Sequence, residues 1–414
     1  MSLIVYAIPF FLACIALEML ISVLKKRKVY RFHDTVTSLN IGFISETIRV
    51  LVKLLTVVVY AVVLDKVAAF QLDIKSPWVW VLAFFMYDFF YYWAHRSGHE
   101  INLLWAAHVV HHSSEDYNLG TALRQSSTNQ VFYWIFYLPM AIAGIPVSVF
   151  VTIALISALY QFWSHTQLVP KLGWADRVFV TPSNHRCHHG RNDYCLDKNY
   201  GGTLIIWDRL FGTYTEERDD EPVVYGTLKP LQSWNPVWGN LRNYVALTRD
   251  TLATAGWRNK LMRVFAPPAW TPEGQPVETV DMRHYTPFET PSTRLQRVYG
   301  VLGSATVLAL VVHLLLVAAD LSMGARILYT VLIACNTACL AWVFEGKSWA
   351  LALESLRNTL TLGSLTAGVW FSPVAPKIQI VAALVLLLSW ALLWRINRER
   401  VAQANLQAVP AVRA

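Results

Sequence analysis

Charge is scarce in this sequence. Only 15% of its 414 residues are Asp, Glu, Lys or Arg, against about 25% in soluble globular domains. With apolar residues at 55%, that shortage excludes a soluble enzyme and a disordered chain. Cysteine is scarce too. Cys14, Cys187, Cys195, Cys335 and Cys339 form no CxxC pair, so a disulfide scaffold is excluded and reduced thiols are expected. Internal repeats, low-complexity runs and glycine-rich phosphate loops are absent.

What the chain does have is hydrophobic length. Apolar blocks at about 3–24, 48–69, 78–94, 131–144, 146–163, 299–319, 324–343, 350–371 and 377–396 approach the ~20 residues needed to span a hydrocarbon core. The fold class this implies is all-α, a polytopic integral membrane protein. The first block lacks a small-residue cleavage site and carries its basic residues after the apolar run, so a retained helix is expected rather than a signal peptide. Gly144, Ile145 and Pro146 break the pair at 131–163 into a tight hairpin or a kink. The net charge is +8, which in a soluble protein would prompt a search for nucleic-acid binding. Here Lys25–Lys28 and Arg395, Arg398 and Arg400 sit beside apolar blocks. That placement predicts lipid head-group contact and no nucleic-acid partner.

Nine spans would put both ends in the cytosol, together with two polar stretches at about 95–130 and 164–298. These would form a cytosolic cap on the bacterial cytoplasmic membrane or the endoplasmic reticulum. An amphipathic helix at about 238–265 is expected to lie at the interface, with Trp238, Leu241, Val245, Leu252 and Leu261 opposite Arg242, Arg249, Arg258 and Arg263. Pro267 and Pro268 end it. The expected division is a chemical half at 1–265, a Pro- and Thr-rich linker at 266–298 and a C-terminal helical bundle at 299–414.

Nine of the 12 histidines lie between His95 and His189. They form His95-Arg-Ser-Gly-His99, His108-Val-Val-His111-His112 and His185-Arg-Cys-His188-His189, with His165 alone after the fifth apolar block. Residues at i, i+3 and i+4 share a helix face, so each cluster aims its imidazoles at one point. A tetrahedral zinc needs about four ligands in all, so eight or nine nitrogens suit two six-coordinate transition metals better. Imidazole suits iron, copper, nickel and zinc alike, and the spacing does not choose among them. Histidines buried without a metal would each need a polar partner. His33, His284 and His313 stand apart and read as structural.

Asp88, Tyr92, His95 and His99 fall on one helical stripe. Asp88 has two readings: it orients a ligand imidazole, or it ties two helices together. Glu100 either orients a ligand or is a surface carboxylate. Ser183 or Asn184 can cap a helix beginning at His185, which would set the third cluster in a first turn.

At these residues the chain resembles the fatty acid hydroxylase (sterol desaturase-like) superfamily of membrane diiron enzymes, whose pattern is HxxxH, HxxHH and HxxHH. All eight boxed histidines match, and His165 resembles a further family histidine. Asp197-Lys-Asn-Tyr-Gly-Gly202 and Trp207-Asp-Arg-Leu-Phe-Gly212 match the family's tail, and the likeness covers roughly residues 30–240. The resemblance implies two iron ions held by these nine histidines, O2 as oxidant and a lipid as substrate.

Within the superfamily, His111-His-Ser-Ser-Glu-Asp-Tyr-Asn-Leu-Gly-Thr-Ala-Leu-Arg-Gln-Ser126 and Arg31-Phe-His-Asp34 resemble the members that cleave glyceryl ethers. That likeness implies tetrahydrobiopterin as reductant and hydroxylation next to an ether oxygen, giving a hemiacetal that collapses to a fatty aldehyde and glycerol. The competing expectation is a fatty-acyl or sterol hydroxylase or desaturase fed by an electron-transfer protein, a ferredoxin or cytochrome b5. A metal transporter or sensor would need ligands near mid-bilayer, and these boxes lie at or beyond helix ends. A zinc hydrolase is the remaining alternative.

Overall fold

The computed structural model describes residues 3–274, 285–366 and 376–408. Among them lie twelve helices of seven residues or more: α1 (Leu3–Leu24), α2 (Phe32–Val67), α3 (Pro77–Glu100), α4 (Asn102–His112), α5 (Val147–Ser164), α6 (Pro182–His188), α7 (Pro236–Ala253), α8 (Trp257–Phe265), α9 (Arg294–Val317), α10 (Met323–Phe344), α11 (Ala350–Thr366) and α12 (Pro376–Ala408). No strand occurs among the described residues, only isolated bridges pairing Phe179 with Leu204 and Gly190 with Tyr225. The all-α expectation holds, and this is an integral membrane protein.

The nine-span expectation does not hold. Among the described residues, five helices are long and apolar enough to cross a membrane: Ala7–Leu24, Val147–Ser164, Arg294–Asp320, Met323–Phe344 and Ile380–Glu399. A sixth span requires joining the two arms of α2, Phe32–Val52 and Thr56–Val67, across a 41° bend. The block at 131–144 breaks into Asn129–Phe132, a 3₁₀ turn at Tyr133–Tyr137 and Leu138–Ile142. Pro139 falls near the start of the last piece, where its missing N–H costs nothing but cannot continue the turn before it. Helix α3 is long enough, but its Trp and Tyr residues and Asp88 lower its hydropathy. The parity that placed both ends in the cytosol therefore falls away.

Helix α2 is the central post. Val36 on its first turns packs with Trp234, Tyr299, Leu340 and Phe344, and Ile44 packs with Val307, Val311, Leu314 and Ile333. These contacts seat α9 and α10 on α2. Farther along, Tyr60 joins Val79, Ala83, Tyr87, Val149 and Ile153, which brings α3 and α5 to the same post. All five cysteines are free thiols. The expected interfacial helix is two helices, α7 and α8, separated where Gly256 takes φ 79°. Along α8, Trp257, Leu261, Met262 and Phe265 are exposed on one side, as an interfacial helix requires.

Candidate metal centre

The first two histidine boxes occupy the arms of one tight helical hairpin. Ile101 closes α3 through its N–H to Ser97 and opens α4 by accepting from the Trp105 N–H. Helix α8 anchors this corner: Asn102 donates from its backbone to Ala266 and from its carboxamide to the Arg263 carbonyl at 2.9 Å. The third box lies on α6. That helix begins at Pro182, with Pro in its first turn and no side-chain cap. His185 and His188 therefore fall in its last turn and His189 just past it, rather than in a first turn capped by Ser183 or Asn184. Ser183 and Asn184 instead bond Glu217 and the Asp176 carbonyl. His165 sits immediately after α5, its ring nitrogen reaching back to the Gln161 carbonyl at 2.8 Å.

All nine expected histidines converge, and all are buried. They form two groups. His95, His99, His108, His112 and His188 make one; His111, His165, His185 and His189 make the other; within each group the offered nitrogens lie within 4.8 Å of one another. The groups adjoin, since the His112 ring stacks on His189 with centroids 4.3 Å apart. Burial pushes the imidazoles' affinity for protons down, to a pKa of about 3 for His95 and about 4 for His111. Neutral rings are the metal-ligating form, so protons do not compete for the site near neutral pH.

Four rings have their orientation fixed by the backbone. His95, His111, His165 and His188 each place Nδ1 against a carbonyl, of Tyr200 at 2.8 Å, Arg124 at 3.1 Å, Gln161 at 2.8 Å and Lys198 at 2.9 Å. A carbonyl only accepts, so each Nδ1 carries the proton and each Nε2 presents a lone pair. Yet His111 Nε2 lies 3.3 Å from His165 Nε2, two acceptors facing each other in a buried site. His95 Nε2 and His112 Nε2 each lie 3.1 Å from His108 Nε2. Nitrogens bound at about 2.1 Å to one metal are separated by about 3.0 Å at right angles and about 3.4 Å in a tetrahedron. The observed separations are edges of such a polyhedron. Buried and unpartnered, His99 Nε2, His188 Nε2 and His189 Nε2 complete the picture. The donor set fits metal ions shared between the two groups.

Sequence reasoning missed what holds these carbonyls in place. Asp197 and Asn199 both take left-handed φ, 55° and 58°, which turns the intervening backbone so that Lys198 and Tyr200 face the rings. The fully buried Asn199 side chain donates to the Asn184 and Thr215 carbonyls. Buried Asp208 accepts from the Tyr200 and Gly201 N–H groups at 2.7 and 2.8 Å. Arg124, also buried, donates to the Val110 carbonyl at 3.0 Å and sets the loop that receives His111. The signal was present in the matched tail segments, but it carried no geometry.

Asp88 is buried and accepts from the Thr203 and Leu204 N–H groups and from the Trp207 indole. These three bonds tie α3 to the turn beyond Tyr200, and none of them goes to an imidazole. Glu100 is part-exposed and pairs with Arg96 at 2.9 Å, with no ring contact. Outside the groups, His33 bonds Glu289 and His313 bonds Tyr329; His284 lies outside the described residues.

Apolar helices that reach a buried double cluster of imidazoles able to hold metal ions define a membrane protein of the histidine-box class. Residues 80–213 match the fatty acid hydroxylase family. The chain is 39% identical over 361 residues to alkylglycerol monooxygenase of Xenopus tropicalis, covering 86% of this chain and 80% of the relative. It is 36% identical over 381 residues to the Homo sapiens protein of the same name, covering 90% and 84%. A shorter match, 33% over 135 residues, joins 32% of this chain to 41% of the ornithine lipid hydroxylase OlsE of Rhizobium tropici. No solved structure matches. The chain belongs to the alkylglycerol monooxygenase family, and it is a membrane lipid monooxygenase, a hydroxylating oxidoreductase.

Proposed function

We propose that this chain cleaves glyceryl ethers by hydroxylating the carbon next to the ether oxygen of alkylglycerols. The hemiacetal so formed breaks its C–O bond to release a fatty aldehyde and glycerol. One atom of O2 enters the product and the other leaves as water, with two electrons from a tetrahydrobiopterin. We assign the nine histidines as ligands to two iron ions, five around one and four around the other, within a chemical half at 1–265 whose histidine boxes face the cytosol. The facing Nε2 atoms of His111 and His165 are the observation that carries this reading, because two buried lone pairs 3.3 Å apart repel each other and a cation between them turns that cost into a gain. Iron bound there supplies the activation of O2.

The chain's own residues do the rest. Backbone carbonyls of Tyr200, Arg124, Gln161 and Lys198 hold the imidazoles in one tautomer and orientation. Buried aromatic rings wall the groups, Tyr117 stacking near His165 and Tyr200 lying beside His99, and they keep water out. The exposed stripe of α8, joined to α4 through Asn102, sets the second histidine box beside the bilayer surface, where an amphiphile keeps its tail in lipid.

Metal analysis of the protein in lipid nanodiscs, followed by mass spectrometry after supplying alkylglycerols, fatty acids and sterols with either a reduced pterin or a ferredoxin system, tests this. Two irons per chain and fatty aldehyde from alkylglycerol with pterin alone are expected. Hydroxylated acyl chains or sterols formed only with an electron-transfer protein would replace the ether reading with the acyl or sterol one.

A further inference from the structure

The carbonyl supports described above serve four of the nine rings, and among the other five one is central. His108 is the hub of the five-histidine group, its Nε2 lying 3.1 Å from both His95 Nε2 and His112 Nε2. Such a ring ligates through Nε2, so its proton must sit on Nδ1, and a buried N–H needs an acceptor. No backbone carbonyl is bonded to it. The neighbour of Nδ1 is the carboxamide of Asn129, at 3.4 Å through its nitrogen, while Asn129 Oδ1 is buried with no partner. The oxygen and nitrogen of a carboxamide exchange places by a half-turn of the group. With Oδ1 toward the ring, both orphaned requirements are met by one bond: Nδ1–H donates and Oδ1 accepts.

The same short segment braces the hairpin from outside. Four residues on, the Tyr133 hydroxyl rests over Gly98, so close that a Cβ there would meet it at 2.0 Å. Asn129 and Tyr133 thus lie on one side of the turn at 129–137 and press against the second and first boxes. The segment also carries exposed Val131 and Ile135, which places it between the lipid-facing surface and the metal groups.

We propose that Asn129 is a positioning residue for the metal centre, its carboxamide oxygen fixing the tautomer and rotation of His108. This rests on the reading of the histidines as metal ligands. It differs from the other supports in being a side chain, so it can be removed without touching the backbone.

The test measures ferrous iron affinity by anaerobic chelator competition on the full-length protein in nanodiscs, for wild type, Asn129→Leu and Asn129→Asp. Leucine keeps the shape and removes the acceptor; aspartate keeps the acceptor. Asn129→Leu should bind one of its irons about 10- to 100-fold more weakly, and Asn129→Asp should match or exceed wild type. Equal affinity in Asn129→Leu and wild type overturns the proposal, as does an equal weakening in Asn129→Asp, which would mean that the oxygen is not what matters. If Asn129→Leu does not fold, the aspartate variant still decides, because a tenfold or greater loss there contradicts an acceptor role. Wild-type protein that binds no iron at all would instead sink the ligand assignment, a different failure from the one that concerns Asn129.

Discussion

Replacing His165 with Phe should have opposite consequences in iron-loaded and iron-depleted protein. In depleted protein, His165 and His111 face each other with two lone pairs at 3.3 Å, and an unsatisfied buried acceptor costs about 1–3 kcal/mol. Phenylalanine removes one of those acceptors and can still lie against Tyr117, whose ring is 5.6 Å from that of His165. The losses are the bond from Nδ1–H to Gln161, about 1 kcal/mol, and the approach of His185 Nε2 to His165 Nε2 at 3.1 Å, while the Gln161 carbonyl keeps the Ser164 hydroxyl at 2.7 Å. Depleted His165→Phe should therefore be as stable as depleted wild type, or up to about 2 kcal/mol more stable. In loaded protein the balance reverses. Iron held at a hundred times its dissociation constant adds about 2.7 kcal/mol, and a variant that binds about 100-fold more weakly keeps only about 0.4 kcal/mol of it. Chemical or thermal unfolding of both proteins, with iron and with chelator, measures the two gaps. A variant that loses equal stability under both conditions would show that the imidazole contributes only packing, and the facing-acceptor argument would fail.

Three other substitutions have defined outcomes. Asp88→Asn presents one carboxamide oxygen to three donors on Thr203, Leu204 and Trp207, so at least one buried N–H is left without a partner at about 1–3 kcal/mol; the unfolding midpoint should fall while iron content stays near wild type. Gly98→Ala puts a Cβ on the Tyr133 hydroxyl and should lower iron loading. Adding Tyr133→Phe removes the oxygen and should restore loading, and no recovery would place the defect elsewhere. His313→Ala should keep full iron and full turnover, because that ring lies outside both groups and bonds Tyr329; an inactive, iron-poor variant would mean the ligand set is wrong.

The histidine clusters were legible in the sequence because helical spacing is local. His95 and His99, or His108, His111 and His112, share a face whatever the rest of the chain does. That α3, α4, α5 and α6 bring those faces together was not legible, and it entered through resemblance to a family. The supports were harder still. The carbonyls of Tyr200 and Lys198 reach His95 and His188 only because Asp197 and Asn199 take left-handed φ, and neither residue type announces that conformation in a single sequence. Asp88 left two readings open in the sequence, because its place on the histidine stripe allowed a ring partner as well as a structural tie; in the structure this carboxylate, nearly two turns from His95, meets the backbone of the 203–207 turn.

Helix α2 shows why apolar blocks misjudge a membrane protein's helices. The sequence places its start near residue 48, where the apolar run begins, but the helix starts at Phe32. Its first turns carry Asp34, Thr37, Ser38 and Asn40, all buried. Each is matched inside the protein: Ser38 bonds Asp34, Thr37 donates to the Trp234 carbonyl, and Asn40 donates to Ser304 at 3.0 Å. A polar residue satisfied by a neighbouring helix is no longer penalised by its surroundings, yet it still lowers hydropathy summed along the chain. The same arithmetic removes α3, whose Asp88 is fully satisfied, from the set of apolar spans, and admits α10, most of whose apolar surface is buried against other helices. Hydropathy therefore reports which residues face lipid or a core, without distinguishing them. Of the helices that bring the histidines together, α5 still passes as an apolar span, whereas α3, α4 and α6 turn their polar residues inward and read as less membrane-like for that reason.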